Sequence, residues 1–198
     1  MHSQIPSFAL AQQLDDSDSL GQFRSRFYAP AGRIYLDGNS LGLLSRDAER
    51  ALLGVLEQWK TGGIAGWLDG DTPWFTMAEA LAERVAKLIG AAGDEVAIAN
   101  SMTINLHQLL ATLYRPQSRR TRVLIDAHSF PTDRYALRSH LKLRGLDPDE
   151  HIVIVPADDS RFLDEDKIVQ ALRNPELQMA LFPSVVYTTG QLDRKSVV

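Results

Sequence analysis

From residue 95 onward, short apolar runs alternate with segments of helical period. Residues 95–99, 122–126, 152–155 and 179–182 each place three to five mostly apolar residues between turn-forming or charged positions. Runs of that kind suit strands buried on both faces. Between them, residues 104–113, 134–143 and 164–173 carry apolar side chains three and four apart, the mark of an amphipathic helix. In the first of these helices Leu106, Leu109, Leu110 and Leu113 are the expected inward face. Strands alternating with helices of about ten residues predict an α/β fold with a mostly parallel sheet, covered on both faces and joined by right-handed crossovers.

Upstream the pattern is less regular. Residues 17–27 predict a short helix capped by Asp16 or Ser17, and Pro30-Ala31-Gly32 ends that segment. Residues 34–36 form a short strand that enters the turn Asp37-Gly38-Asn39-Ser40-Leu41-Gly42. Ser45 caps a helix over residues 46–60 whose stripe of Ala51, Leu52, Val55, Leu56 and Trp59 is core or subunit interface. Residues 61–73, with four glycines, make a flexible loop too long and too aromatic to be only a connector. Thr76-Met77-Ala78-Glu79 reads as a capping box opening a helix to Ile89, and Gly90 closes it.

Two stretches carry the candidate chemistry, each at the carboxyl end of an expected strand and the start of an expected helix, the edge where open α/β sheets bind ligands. In the first, Asn100-Ser101-Met102-Thr103, backbone N–H groups at Met102 and Thr103 and hydroxyls on Ser101 and Thr103 suit a phosphate at a helix N-terminus. In the second, Phe130-Pro131-Thr132-Asp133, a flat ring stands beside a carboxylate. Together they suggest a phosphorylated aromatic cofactor. Asp133 also fits an N-terminal-turn acid favoured by the helix dipole. Trp67 fits a packing residue as well as a ligand contact. His107, without a His or acidic partner at metal spacing, reads as packing or capping rather than catalytic.

Composition narrows the field without choosing a chemistry. A chain of 198 residues, 44% hydrophobic and 23% charged, is long enough for one ordinary domain with a substantial core. The formal charge of −4, with basic residues clustered only over 115–122, gives no footprint for nucleic acid. Absence of cysteine excludes disulfides and thiolate metal sites. No apolar run reaches membrane length and residues 1–14 lack a signal-peptide pattern, so a cytoplasmic location and no membrane partner are expected.

The turn at 35–42 and the two ligand stretches, in this order, resemble the kynureninases, pyridoxal 5'-phosphate (PLP) enzymes of the aspartate-aminotransferase fold. Gly66-Trp67, Pro73-Trp74, Leu88-Ile89-Gly90-Ala91 and Thr189-Gly190-Gln191 extend the resemblance over residues 34–191. It implies hydrolysis of L-kynurenine, or 3-hydroxykynurenine, to anthranilate or its hydroxy analogue plus L-alanine, within tryptophan catabolism, by a homodimer. It implies further that Met102 and Thr103 bind the cofactor phosphate and that Phe130 stacks on its ring. Pro131, Thr132 and Asp133 finish the cofactor wall, and Trp67, where relatives carry His or Trp, faces the substrate ring. The large domain, of the fold-type-I transferase kind, would occupy residues 34–192 after an arm at 1–33, with its sheet incomplete at the C-terminal side.

Two departures from the family pattern stand out. Pro183, followed by Ser184, takes a position where many relatives carry a phosphate-binding Ser or Thr. The Schiff-base lysine, its Tyr neighbour and the Asp for the ring nitrogen find no match; Lys60, Lys87, Lys142, Lys167 and Lys195 all stand in helix or tail contexts. No catalytic residue is therefore assigned, and inactivity of these residues alone is expected. Residues 193–198 match the in-frame translation of a common sequencing adapter, so an artefactual tail is expected there. Two other readings fit the same residues: a cysteine desulfurase or class V aminotransferase-like enzyme, or a truncated paralogue that only binds a partner.

Overall fold

Side-chain caps set where the first helices begin. The Ser7 hydroxyl accepts from the Leu10 N–H at 3.3 Å and starts α1 (Phe8–Ser17). The Ser45 hydroxyl accepts from Ala48 at 3.0 Å and starts α2 (Arg46–Gly62), with Asp47 and Glu49 in its first turn and Lys60 in its last, matching the helix dipole. α3 (Met77–Ile89) closes on Gly90 at φ 72°, where the Ala91 N–H returns to the Ala86 carbonyl. These elements belong to one of two compact units, Met1–Ala97; the other is Ile98–Val198. The computed structural model describes residues 7–158 and 161–192. The expected tail at 193–198 and the first six residues of the expected arm lie outside the described residues.

Several expectations for the first unit are corrected. Helix occupies Phe8–Ser17 rather than residues 17–27, because Ser7 supplies the cap; Gly21–Arg26 is a 3-10 turn. Residues 34–36 pair with no strand among the described residues, and Ile34 and Leu36 are almost fully exposed. Thr76 makes no capping hydrogen bond, since it ends the 3-10 turn Trp74–Thr76 with ψ near 7° instead of the extended backbone a cap requires. The apolar stripe of α2 is largely exposed at Leu52, Leu56 and Trp59, so it is not core among the described residues.

The second unit is built on a three-stranded, all-parallel sheet. It opens with α4 (Met102–Leu113), followed by β1 (Arg122–Asp126), α5 (Pro131–Leu143), the short α6 (Pro148–His151), β2 (Ile152–Val155), α7 (Glu165–Leu172) and β3 (Leu177–Leu181). Strand order is β2-β1-β3, with Ile125 level with Ile154 on one side and Leu181 on the other. Four consecutive residues of β1, Val123 to Asp126, are buried, as the middle strand of a doubly covered sheet requires. On one face Val123 and Ile125 pack with Leu110 and Tyr114 from the α4 end and Leu137 and Leu141 of α5. On the other, Leu124 and Val155 pack with Leu163, Ile168, Leu177 and Val186.

The expected α/β fold with a parallel sheet covered on both faces is thus observed. Residues 95–99 are not a strand: Gly93–Glu95 is a 3-10 turn and the extended residues after it pair with no strand among those described. Leu109 and Leu113 of α4 are more than half exposed, whereas Leu110 and the partly buried Leu106 make the contact with β1 and α5. No helix among the described residues is long and apolar enough to cross a membrane.

Leu137 has no exposed surface and sits at the centre of the α4-α5-β1 core. Leu137→Ala is expected to lower unfolding free energy by about 2–5 kcal/mol through lost transfer energy and a residual cavity. Exposed Leu143→Ala, measured in the same denaturant titration, should change it by less than about 0.5 kcal/mol.

Candidate functional site

The site begins with a buried charge. Asp126, at the carboxyl end of β1, has no exposed surface. Its carboxylate accepts from the His128 backbone N–H at 2.7 Å and from the Ser129 hydroxyl at 2.8 Å. A carboxylate without water is tolerated only when its oxygens are hydrogen-bonded, so these two contacts fold the loop tightly back on the strand end. Phe130 follows as N-cap of α5, and Pro131 takes the first helical position, where a missing N–H costs nothing.

α4 reaches the same edge from the other side. Ser101 is extended, as an N-cap must be, yet its side chain makes no capping hydrogen bond. The first-turn N–H groups of Met102 and Thr103 therefore have no capping side chain. Behind them the Asn105 amide donates to the Asn100 carbonyl at 3.2 Å, leaving its oxygen buried without a donor. His128 Nε2 on the facing loop is likewise buried and unpartnered. Together these elements border a cleft of about 790 Å3.

Of the six residues expected to hold a cofactor, Met102, Thr103, Phe130, Thr132 and Asp133 line this cleft. Pro131 does not; it borders a smaller groove with Arg134, Tyr135 and Arg138. Ser184 lines the cleft together with Pro183. Burial raises the Asp133 carboxyl above the ordinary range, opposed by a hydrogen bond with Thr132. No lysine lines the cleft among the described residues.

The far wall was not legible in the sequence. It comes from the segment after β3, where Tyr187 meets the Phe130 ring edge-on with centroids 5.2 Å apart. That segment is held in place by Gln191, which accepts from the Leu163 N–H and donates to the Leu163 carbonyl, both at 2.8 Å. Val186 beside Tyr187 is fully buried in the core of the opposite sheet face. Gln191 belongs to a stretch noticed only for its resemblance, and Tyr187 to no motif at all.

Three bacterial kynureninases are similar to nearly the whole chain. That of Bacillus anthracis is 48% identical over 187 residues, covering 94% of this chain and 44% of the relative. That of Shouchella clausii is 47% identical over 182 residues, 92% of this chain and 42% of the relative. That of Geobacillus thermodenitrificans is 44% identical over 187 residues, again 94% and 44%. This chain is homologous to the kynureninases. It spans less than half the length of the curated relatives it matches. No protein-family model matches.

Trp67, the residue for which the kynureninase resemblance implied a substrate contact, lies in the first unit at the end of the 3-10 turn Gly63–Trp67. It is half exposed and meets Phe75 at a tilt, centroids 6.2 Å apart. Residues 61–73 are not the loose loop expected: the Gln58 amide donates to the Gly66 and Asp69 carbonyls, and Gly66 packs flat against Trp74. A Cβ on Gly66 would stand 2.7 Å from that indole. His107, as expected, is a packing residue, its ring 4.9 Å from that of His140.

Asp126→Ala is expected to cost about 1–3 kcal/mol of stability, because the Ser129 hydroxyl and His128 N–H lose their acceptor. Thermal melts check this. Asp133→Asn should behave oppositely. A carboxyl whose folded pKa is raised is penalised when ionised, and the penalty grows as pH rises through its titration. The variant should therefore be at least as stable as wild type at pH 7 and gain nothing at pH 3.

Proposed function

We propose that the full-length protein is a kynureninase: a PLP-dependent hydrolase converting L-kynurenine to anthranilate and L-alanine. Support comes from the homology over 94% of the chain and from one geometric observation. Five residues from two separated stretches of sequence, Met102, Thr103, Phe130, Thr132 and Asp133, border a single cleft at the carboxyl end of the sheet. Such a cleft, mostly apolar with a few converging polar groups, has the size and character of a cofactor site.

The residues present fit PLP. The uncapped first turn of α4 offers N–H groups from Met102 and Thr103, with the Thr103 hydroxyl beside them, for a phosphate dianion. Phe130 would supply a flat face for the pyridine ring, and the edge contact from Tyr187 limits how the Phe130 ring can turn. The buried Asn105 oxygen and His128 Nε2 are polar atoms in want of partners, as expected where a polar ligand completes the site. Bound PLP supplies an electron sink for the carbon skeleton of an amino acid. The protein's part is to fix the ring between Phe130 and the opposite wall and to place the anionic end at the helix. Asp133 places a carboxyl beside that wall, its pKa raised by burial, opposed by a hydrogen bond with Thr132. Trp67 is proposed to face the aromatic ring of the substrate, and the enzyme to act as a cytoplasmic homodimer.

Phe130→Ala in the full-length protein should weaken PLP binding by on the order of 1 kcal/mol or more, about five-fold in Kd. Fluorescence titration measures this, and an unchanged Kd refutes the stacking role. Trp67→Ala should raise KM for kynurenine while leaving the PLP Kd within about two-fold. Residues 1–198 expressed alone with excess PLP should not hydrolyse kynurenine. Turnover above background would mean that one of the five lysines here carries the cofactor after all.

A further inference from the structure

α4 and α5 supply the two lips of the cleft, Met102 and Thr103 from one, Phe130 to Asp133 from the other. Beyond the lips the two helices meet through a histidine. His140, on the third turn of α5, is almost fully buried, and its ring lies tilted against that of His107 of α4, centroids 4.9 Å apart. Arg144, the C-cap of α5, places Nη1 2.9 Å from His140 Nδ1 and Nη2 3.4 Å from the Leu110 carbonyl of α4.

A guanidinium only donates, so His140 Nδ1 must be the acceptor and carries no proton. The ring is then the neutral Nε2–H tautomer, set by the Arg144 contact. The groups facing it are Arg144 and His107, with Tyr114 beyond, its ring 5.3 Å below the Arg144 guanidinium and its hydroxyl donating to the Thr121 carbonyl. No carboxylate faces the ring from α4 or α5 in these contacts. A proton on Nδ1 would break the Arg144 bond and set two cations against each other between the helices.

We propose that neutral His140 is the strut that joins α4 to α5 and fixes the spacing of the cleft lips, and that its protonation releases them. His140 is thus a positioning residue: it acts on the cleft only through the two helices. Burial first, then the Arg144 charge and His107, lower its pKa below the ordinary 6.5 despite a backbone contact with His107 that works the other way. The unfolded chain therefore takes up the proton first. Stability from this group is complete above the ordinary histidine value and is lost as pH falls from there toward the depressed folded value. Only the consequence for cofactor binding rests on the function proposed above.

The test uses the full-length protein at pH 7.5 and 5.5. Hydrogen exchange of the bonded α4 amides from Asn105, whose N–H donates to the Ser101 carbonyl, to Leu110, corrected for intrinsic rates, should quicken several-fold at pH 5.5 in wild type and not in His140→Gln. The imidazole 15N signals lost in His140→Gln should report an Nε2–H tautomer at pH 7.5, and Arg144→Leu should move their titration upward toward 6.5. Equal pH response of exchange in wild type and His140→Gln, or an Nδ1–H tautomer, would overturn the strut. If His140→Gln does not fold, the tautomer in wild type and its shift in Arg144→Leu decide alone. PLP titration at both pH values separates the two ideas. No PLP binding at either pH with the exchange difference intact sinks the cofactor reading and leaves the strut standing. Binding with no exchange difference does the reverse.

Discussion

The buried carboxylate of Asp126 is the constraint from which the cleft follows. Carboxylate oxygens with no exposed surface would cost several kcal/mol without donors. The His128 N–H and the Ser129 hydroxyl satisfy it, and both lie within three residues of it in sequence. The chain has no freedom left to extend past the strand end, so it turns back at once and delivers Phe130 to the sheet edge. Pro131 then commits the next residue to helix. Position and direction of α5 are consequences of one pair of hydrogen bonds.

The opposite lip is held less by its own end than by its packing. Ser101 leaves the first turn of α4 uncapped, an arrangement that costs the helix some stability but leaves its N–H groups open to an anion. What anchors α4 lies further along, where Leu110 and Tyr114 enter the β1 core and His107 meets His140. The two lips are thus fastened at different depths: α5 at its start, α4 along its second half. That division lets a cleft stay open at the edge of a tightly packed sheet.

In the first unit the corresponding constraint is Gly66. Only a residue without Cβ can lie against the Trp74 ring, and the Gln58 amide fastens the same peptide to α2. Trp67 is therefore presented from a defined 3-10 turn. Its neighbour Trp74 leaves its indole N–H buried and unpartnered, which marks this packing as a place where shape outweighs hydrogen bonding.

The sequence by itself determined what depends on neighbours in the chain. The Val, Leu and Ile runs specified β1 and β2, and Met179-Ala180-Leu181 marked most of β3; of the three only the central β1 is buried on both faces. Ser45 and Gly90 marked helix ends because caps are made within a few residues. Met102, Thr103 and Phe130 to Asp133 could be grouped because each stretch follows an apolar run and opens, or nearly opens, a helix. Tertiary structure decided what depends on partners far away. Residues 34–36 and 95–99 look like strands yet pair with none among the described residues, since a strand exists only through hydrogen bonds to another. Pro131 turned from the cleft because a helix sends successive residues to different faces. Tyr187 reached Phe130 and Gln191 reached Leu163 across dozens of residues, with no local pattern to announce either contact. The tautomer of His140 likewise follows from Arg144 and the facing helix, because a ring's protonation is set by the groups that surround it in space.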